Sequence, residues 1–168
     1  MSNLSVTAVS SSTAAHVANT SKSLYVKQFV DESLGNSSYL IADEASGEAA
    51  VIDPQRDVEK YVQSADGLGL KLKYALDSHL HADFISGAHE LAHQLGVPHQ
   101  HERSFQIGAS AAAEAEFEHI ALQHGDRLAL GNLSLGILST PGHTPSTSAL
   151  PFMQKTMRSP RRCLAAAL

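Results

Sequence analysis

From Leu24 onward the chain breaks into short runs in which apolar and polar positions alternate, separated by turn residues. Residues 24–30 (LYVKQFV) mix β-branched and aromatic side chains with polar ones at a period near two, which predicts a strand. Leu34-Gly35-Asn36 marks a turn, and residues 38–42 (SYLIA) predict a second short strand. Ser46-Gly47 marks a hairpin-type connection to a third strand at 49–52 (AAVI), which ends at Asp53-Pro54. The period then lengthens. Over 57–68, Val58, Tyr61, Val62 and Ala65 share one face, which predicts a helix, and Gly67 and Gly69 stop it. Residues 70–76 (LKLKYAL) alternate again and predict a strand ending at Asp77-Ser78. A second helix is predicted over 86–95, with Ser86 as N-cap and Gly96 as its stop. Residues 97–100 predict a short strand and the alanine-rich 109–115 a helical stretch. Three further strands are predicted at 118–122, 127–130 and 133–138, with turns at His124-Gly125-Asp126 and Gly131-Asn132. Strands, then alternating helix and strand, then strands again imply a mixed α/β (α+β) domain of stacked sheet layers covered by helices.

Composition narrows the class. A chain of 168 residues suits one domain, and 43% hydrophobic with 17% charged residues is a globular composition. Residues 1–22 are the exception: rich in Ser, Thr and Ala with no acid, they read as a disordered tail. An organellar transit peptide is the sharper reading of the same stretch, although it lacks arginine; otherwise the expected location is cytoplasmic. No apolar run approaches the roughly 20 residues of a membrane-spanning helix. The single cysteine, Cys163, excludes a disulfide-stapled scaffold. A net charge of -5 without aromatic-basic clusters argues against nucleic acid. That charge is unevenly spread: residues 1–150 hold all 17 acids, whereas 151–168 hold four bases and no acid. The break divides the chain into a tail (1–22), a domain (23–150) and a basic segment (151–168) that reads as a different frame, an alternative exon or a tail.

Ten histidines point to metal. His79-Leu80-His81-Ala82-Asp83 follows a buried-looking strand, and in extended backbone side chains two apart point the same way, so His79, His81 and Asp83 can converge. Imidazoles with a carboxylate suit zinc or ferrous iron, and without nearby thiolates an open, catalytic site is favoured over a closed structural one. Thr140-Pro141-Gly142-His143-Thr144 also follows a strand and would present His143 from a stiff loop. A competing motif, His89-Glu90-Leu91-Ala92-His93, fits the H-E-x-x-H pattern of zinc proteases, with Glu114, Glu116 or Glu118 as a third ligand. The favoured reading there is an amphipathic helix with Ala88, Leu91 and Leu95 inward and both histidines solvated. His99, His101, His119 and His124 show no convergent spacing and read as surface or core-edge residues.

The SHLHAD and TPGHT stretches, with Asp53 after a short strand, resemble the metallo-β-lactamase fold superfamily. GNSSYLI (35–41) and VIDPQR (51–56) resemble its persulfide dioxygenase-like and rhodanese-linked members. The resemblance implies an αββα sandwich, here its N-terminal part. It implies His79, His81 and His143 as metal ligands and Asp83 as a catalytic group. Asp53 reads either as a structural cap of the turn before Pro54 or as a support for a ligand histidine from behind, and the second reading is favoured. Phe84 stands where the superfamily pattern has a further metal-binding histidine, which disfavours a second metal and suits mononuclear Fe(II) over Zn(II). The pattern's next aspartate and its last histidine are not found: no aspartate follows Asp126 and no histidine follows His143. By resemblance the chain is a metal-dependent oxidoreductase acting on glutathione persulfide, a small thiol-type substrate, with a zinc thioesterase and a non-catalytic truncated relative as alternatives. A homodimer is left open.

Overall fold

The computed structural model describes residues 24–33, 35–79, 85–95, 106–111, 118–142, 144, 146–154 and 162–165. The predicted tail (1–22), the predicted strand at 97–100, and most of the segment after 154 lie outside the described residues.

Six strands form the first sheet: β1 (Leu24–Asp31), β2 (Asn36–Asp43), β3 (Glu48–Ile52), β4 (Lys71–Leu76), β5 (Gln106–Ser110) and β6 (Ile120–Leu122), in that spatial order. β1, β2 and β3 are antiparallel; β3 to β6 run parallel. The change of direction follows from the connections. Ser46-Gly47 is a tight turn, with Gly47 at φ 73°, whereas β3 reaches β4 through helix α1 (Glu59–Asp66), as a parallel pair requires. The second sheet takes β7 (Arg127–Leu130), β8 (Leu133–Gly136), β10 (Ser148–Gln154) and β11 (Arg162–Ala165), with β9 (Leu138–Ser139) beside β10. β10 runs through residue 150 without a break. Helix α2 (Ala88–Gln94) completes the described elements.

Alternation along each strand divides the core in two. On one face of the first sheet Tyr25, Phe29, Leu40, Ala42, Ala49, Val51 and Ala75 pack under α1 and α2 through Tyr61, Ala65, Ala88 and Leu91. On the other face Ile41, Ala50, Ile52, Tyr74 and Leu76 meet Leu130, Leu133, Leu135, Ile137 and Leu150 of the second sheet. Helices, first sheet and second sheet thus form three successive layers.

β4 departs from its predicted alternation. Ala49 faces Leu72 but Ala50 faces Tyr74, so Lys73 is an extra residue in the ladder. Leu70 and Leu72 therefore join the helix-side core, whereas Tyr74 and Leu76 join the inter-sheet core. Lys73 Nζ reaches Glu48 Oε2 at 2.9 Å. Burial lowers the Lys73 pKa, but the hydrogen bond that Lys73 donates to Glu48, with the charges and contacts of Glu48 and Tyr74, outweighs that and leaves it raised. Glu48 Oε2 also accepts the Gly131 N–H at 2.7 Å, and Asp43 Oδ2 accepts the Asn132 N–H at 2.7 Å and its side-chain amide at 3.0 Å. The β7–β8 turn is thereby latched to the β2–β3 turn.

The first helix is shorter than its apolar face and closes as predicted. Gly69 takes φ 65°, its N–H bonds Asp66 O, and the Leu70 N–H bonds Ala65 O, a Schellman closure with Leu70 and Ala65 in one core. Residues 109 and 110, predicted helical from their alanine content, lie in β5 instead. There, both residues pair with β6, through Ala109–Ala121 and Ser110–Leu122, and this strand pairing overrides local propensity.

Candidate functional site

At the C-terminal ends of β3 and β4 the chain leaves the sheet as Asp53-Pro54-Gln55 and Asp77-Ser78-His79. Open α/β sheets commonly place their sites at such ends. Asp53 has φ 49°, the only described non-glycine residue with positive φ, and it precedes a proline, which ordinarily favours extended backbone. Two bonds hold it there: its N–H donates to Leu76 O at 2.8 Å, and its Oδ1 accepts the Ser78 N–H at 2.6 Å. An aspartate in a strained backbone, buried to 4% exposure and gripping the next strand's exit, makes this turn a candidate functional site.

The 53–55 turn is clamped by both helices. Tyr61 is fully buried, with its ring edge on Phe29 (centroids 4.9 Å, planes at 77°). Its hydroxyl accepts the Gln55 N–H at 2.9 Å and shares a 2.7 Å bond with Ser38 Oγ. Burial drives the Tyr61 pKa up to about 12, against the lowering effect of those hydrogen bonds. From the other side the Gly87 N–H donates to Pro54 O at 2.7 Å. A Cβ at residue 87 would lie 2.2 Å from Gln55 O, so only glycine lets the start of α2 approach this closely.

His79 is buried, at 7% exposure, and its Nδ1 lies 2.9 Å from Ser78 Oγ. Asp77 donates its N–H to Gly108 O at 3.0 Å, and its Oδ1 accepts the Ser86 hydroxyl at 2.7 Å. Ser86, the predicted N-cap, lies one residue before the observed cap Gly87, and its Oγ accepts the Ala88 N–H at 3.2 Å. The second sheet contributes Ser148, whose N–H donates to Ser78 O at 2.9 Å. Ser148 Oγ is buried without a hydrogen-bond partner among the described residues, the kind of group that a ligand or water satisfies. The loop before it is rich in hydroxyls: Thr144 Oγ1 lies 3.1 Å from Ser146 Oγ and 3.0 Å from Thr147 Oγ1.

Of the predicted site residues, His79 and Asp53 are thus brought together, joined through Ser78. His81, Asp83 and His143, with Phe84, lie outside the described residues. No group of three or more histidine, cysteine or carboxylate side chains poised for a metal occurs among the described residues. The H-E-x-x-H histidines are placed on the outer face of α2: His89, Glu90 and His93 are exposed, and Ala88 and Leu91 are buried. His124 is exposed and its Nδ1 accepts the Ser139 N–H at 3.2 Å; His119 is partly buried; His99 and His101 lie outside the described residues. Ser78, Asp77 and Ser148 carry no metal-ligand signature and were not singled out by sequence. Asp77 and Ser78 have one signal, polarity directly after the apolar strand β4; Ser148, the first residue of β10, has none. Among the described residues no helix is long and apolar enough to cross a membrane.

Known proteins share this architecture. A family model described as the Metallo-beta-lactamase superfamily matches residues 32–150. A crystal structure of a metallo-beta-lactamase from Staphylococcus aureus subsp. aureus COL superposes with a TM-score of 0.74 at 32% identity, covering 86% of this chain and 44% of that one. The mitochondrial persulfide dioxygenase ETHE1 of Mus musculus is 33% identical over 121 residues, 71% of this chain and 44% of its own length. The cytoplasmic hydroxyacylglutathione hydrolase of Arabidopsis thaliana is 37% identical over 110 residues, 65% of this chain and 40% of its own length. The chain spans less than half the length of these two relatives. The family match runs from the β1–β2 turn into β10, across both sheets and the ends of β3 and β4, and on that evidence the chain belongs to the metallo-beta-lactamase superfamily.

Proposed function

We propose that the chain is the metal-binding part of a persulfide dioxygenase-type oxidoreductase that acts on a small thiol-derived substrate such as glutathione persulfide. His79, His81 and His143 would hold a single Fe(II), with Asp83 as the acid/base group beside it. The donors fit such an ion: imidazole nitrogens and a carboxylate suit divalent iron or zinc, and His79, the candidate ligand among the described residues, is buried with its Nδ1 engaged by Ser78. Fe(II), if bound there, would supply electrons to O₂ and a site at which oxygen and the sulfur substrate could meet. The chain's own residues position the donors: Asp53 fixes the exit of β4, and burial of His79 keeps water from its ring. The observation that carries this reading is Phe84, directly after Asp83, where a histidine would be needed for a second ion. A phenyl ring cannot ligate, so one metal is favoured over two.

The second reading is a zinc-dependent thioesterase, favoured by the 37% identity to the Arabidopsis hydrolase. Zinc there would supply a hydroxide nucleophile. Metal analysis of the purified chain, with oxygen uptake on glutathione persulfide and hydrolysis of a glutathione thioester, separates them. About one iron per chain with oxygen uptake is the expected result. About two zinc ions per chain with thioester hydrolysis overturns it for the second reading. A folded chain that takes up no metal overturns both and leaves a non-catalytic relative.

A further inference from the structure

Ser78 is the point on which the described part of the site converges. It is fully buried, and each of its polar groups is bonded to a different part of the fold. Its N–H donates to Asp53 Oδ1 at the end of β3, its carbonyl accepts the Ser148 N–H at the start of β10, and its hydroxyl lies 2.9 Å from His79 Nδ1. The residue before it is fixed as well, by the Asp77 N–H on Gly108 O and the Ser86 hydroxyl on Asp77 Oδ1. A serine hydroxyl normally swings freely and orients nothing. Here both flanking peptides are tied down, so the only freedom left to the hydroxyl is rotation about χ1 and about its own C–O bond.

At 2.9 Å the bond can run either way. If the hydroxyl donates to Nδ1, the ring proton sits on Nε2, and Nε2 has no lone pair to offer. If Nδ1–H donates to the hydroxyl, Nε2 carries the lone pair. We propose that Ser78 is the positioning residue of His79, its oxygen accepting the Nδ1–H and so fixing the imidazole as the tautomer whose Nε2 is the metal donor. The direction of this bond rests on the metal-binding reading of His79 given above. Asp53 and Ser148 act one step further back: they hold the serine, and the serine holds the ring.

The test uses the full chain with ¹⁵N-labelled histidine, at about pH 8.5, where an ordinary histidine is neutral. The His79 resonances are assigned by their loss in His79→Gln. In metal-free wild type the ¹H–¹⁵N correlations should show the proton on Nδ1, and Ser78→Ala should lose that bias. By chelator competition Ser78→Ala should bind Fe(II) or Zn(II) about 10-fold or more weakly, and Ser78→Thr, which keeps the hydroxyl, should restore most of the loss. A wild-type proton on Nε2 overturns the proposal, whatever the variants do. So does a folded Ser78→Ala that keeps wild-type metal affinity. If wild type binds no metal, the functional reading fails, but the tautomer measurement still decides the role of Ser78. If Ser78→Ala does not fold, the wild-type tautomer and the Ser78→Thr affinity carry the decision.

Discussion

Three substitutions at Asp53 separate the two tasks the residue performs. One task is to accept the N–H of Ser78, a residue with no solvent exposure, at 2.6 Å. The other is to hold φ at 49° immediately before a proline. Asp53→Ala removes the acceptor, and an orphaned buried N–H costs about 1–3 kcal/mol. It also places an alanine Cβ in left-handed backbone, which costs about 1–2 kcal/mol. The expected loss is about 2–5 kcal/mol. Asp53→Gly removes the same acceptor without backbone strain, but adds unfolded-chain freedom worth about 0.4–1 kcal/mol. It should therefore be more stable than the alanine variant by about 1 kcal/mol or less. Asp53→Asn keeps an oxygen acceptor and a side chain that tolerates this backbone, so it should cost the least, about 1 kcal/mol. The chain has no tryptophan, so urea unfolding is best followed by far-ultraviolet circular dichroism. The reasoning fails if the alanine variant stays within about 0.5 kcal/mol of wild type, or proves more stable than the glycine variant.

Other outcomes follow from the same contacts. The Tyr61 pKa is raised to about 12 from 10.0, so its proton stabilises the fold fully below pH 10 and that stability is lost as pH climbs from 10 toward 12. The total is at most about 3 kcal/mol, and stability measured against pH should fall less steeply across that window in Tyr61→Phe. Gly87→Ala should lower stability by about 2 kcal/mol or more, because the new methyl meets backbone that is fixed between two helices; a melting temperature equal to that of wild type would show that α2 can retreat. Glu48→Ala should destabilise more than Lys73→Ala, because Glu48 also accepts the Gly131 N–H while the ion pair alone is partly exposed and worth about 1 kcal/mol at most. Equal losses in paired urea titrations would count against the latch.

Where one period ran undisturbed, the sequence predicted the structure closely. β7 occupies the predicted 127–130, and β1 to β3 differ from their predicted bounds by one or two residues. Where two partners compete for one residue, the prediction went astray. LKLKYAL reads as a single alternating face, but the extra residue Lys73 sends its two halves into different cores, and nothing local to the heptapeptide marks that. Ala109 and Ser110 lie in an alanine-rich stretch of helical composition, yet pairing with β6 claims their backbone. The site divides in the same way. His79 and Asp53 stand out in the sequence as candidates because histidine and a strand-ending aspartate are chemically distinctive, and the fold joins them through Ser78. Ser78 does not stand out, because its role consists of three hydrogen bonds to residues distant in sequence or fixed by the fold.

The latch between the two hairpin turns has a mechanical consequence. It ties the sheets at the end of β3 where Glu48 lies, whereas the Ser148–Ser78 bond ties them at the end where Asp53 lies. The five residues of β3 separate these ties by about 17 Å. The layer between them is apolar and close-packed, and the directional bonds that set how the sheets are angled sit at its two rims, the Ser148–Ser78 bond at one and the latch at the other. A rocking of about 3° there moves the far rim by about 1 Å, twice the roughly 0.5 Å tolerance of a preorganised site. A change at an aspartate, a glutamate or an asparagine of the latch that tilted the sheets by that angle would therefore be felt at the opposite rim, where His79 lies.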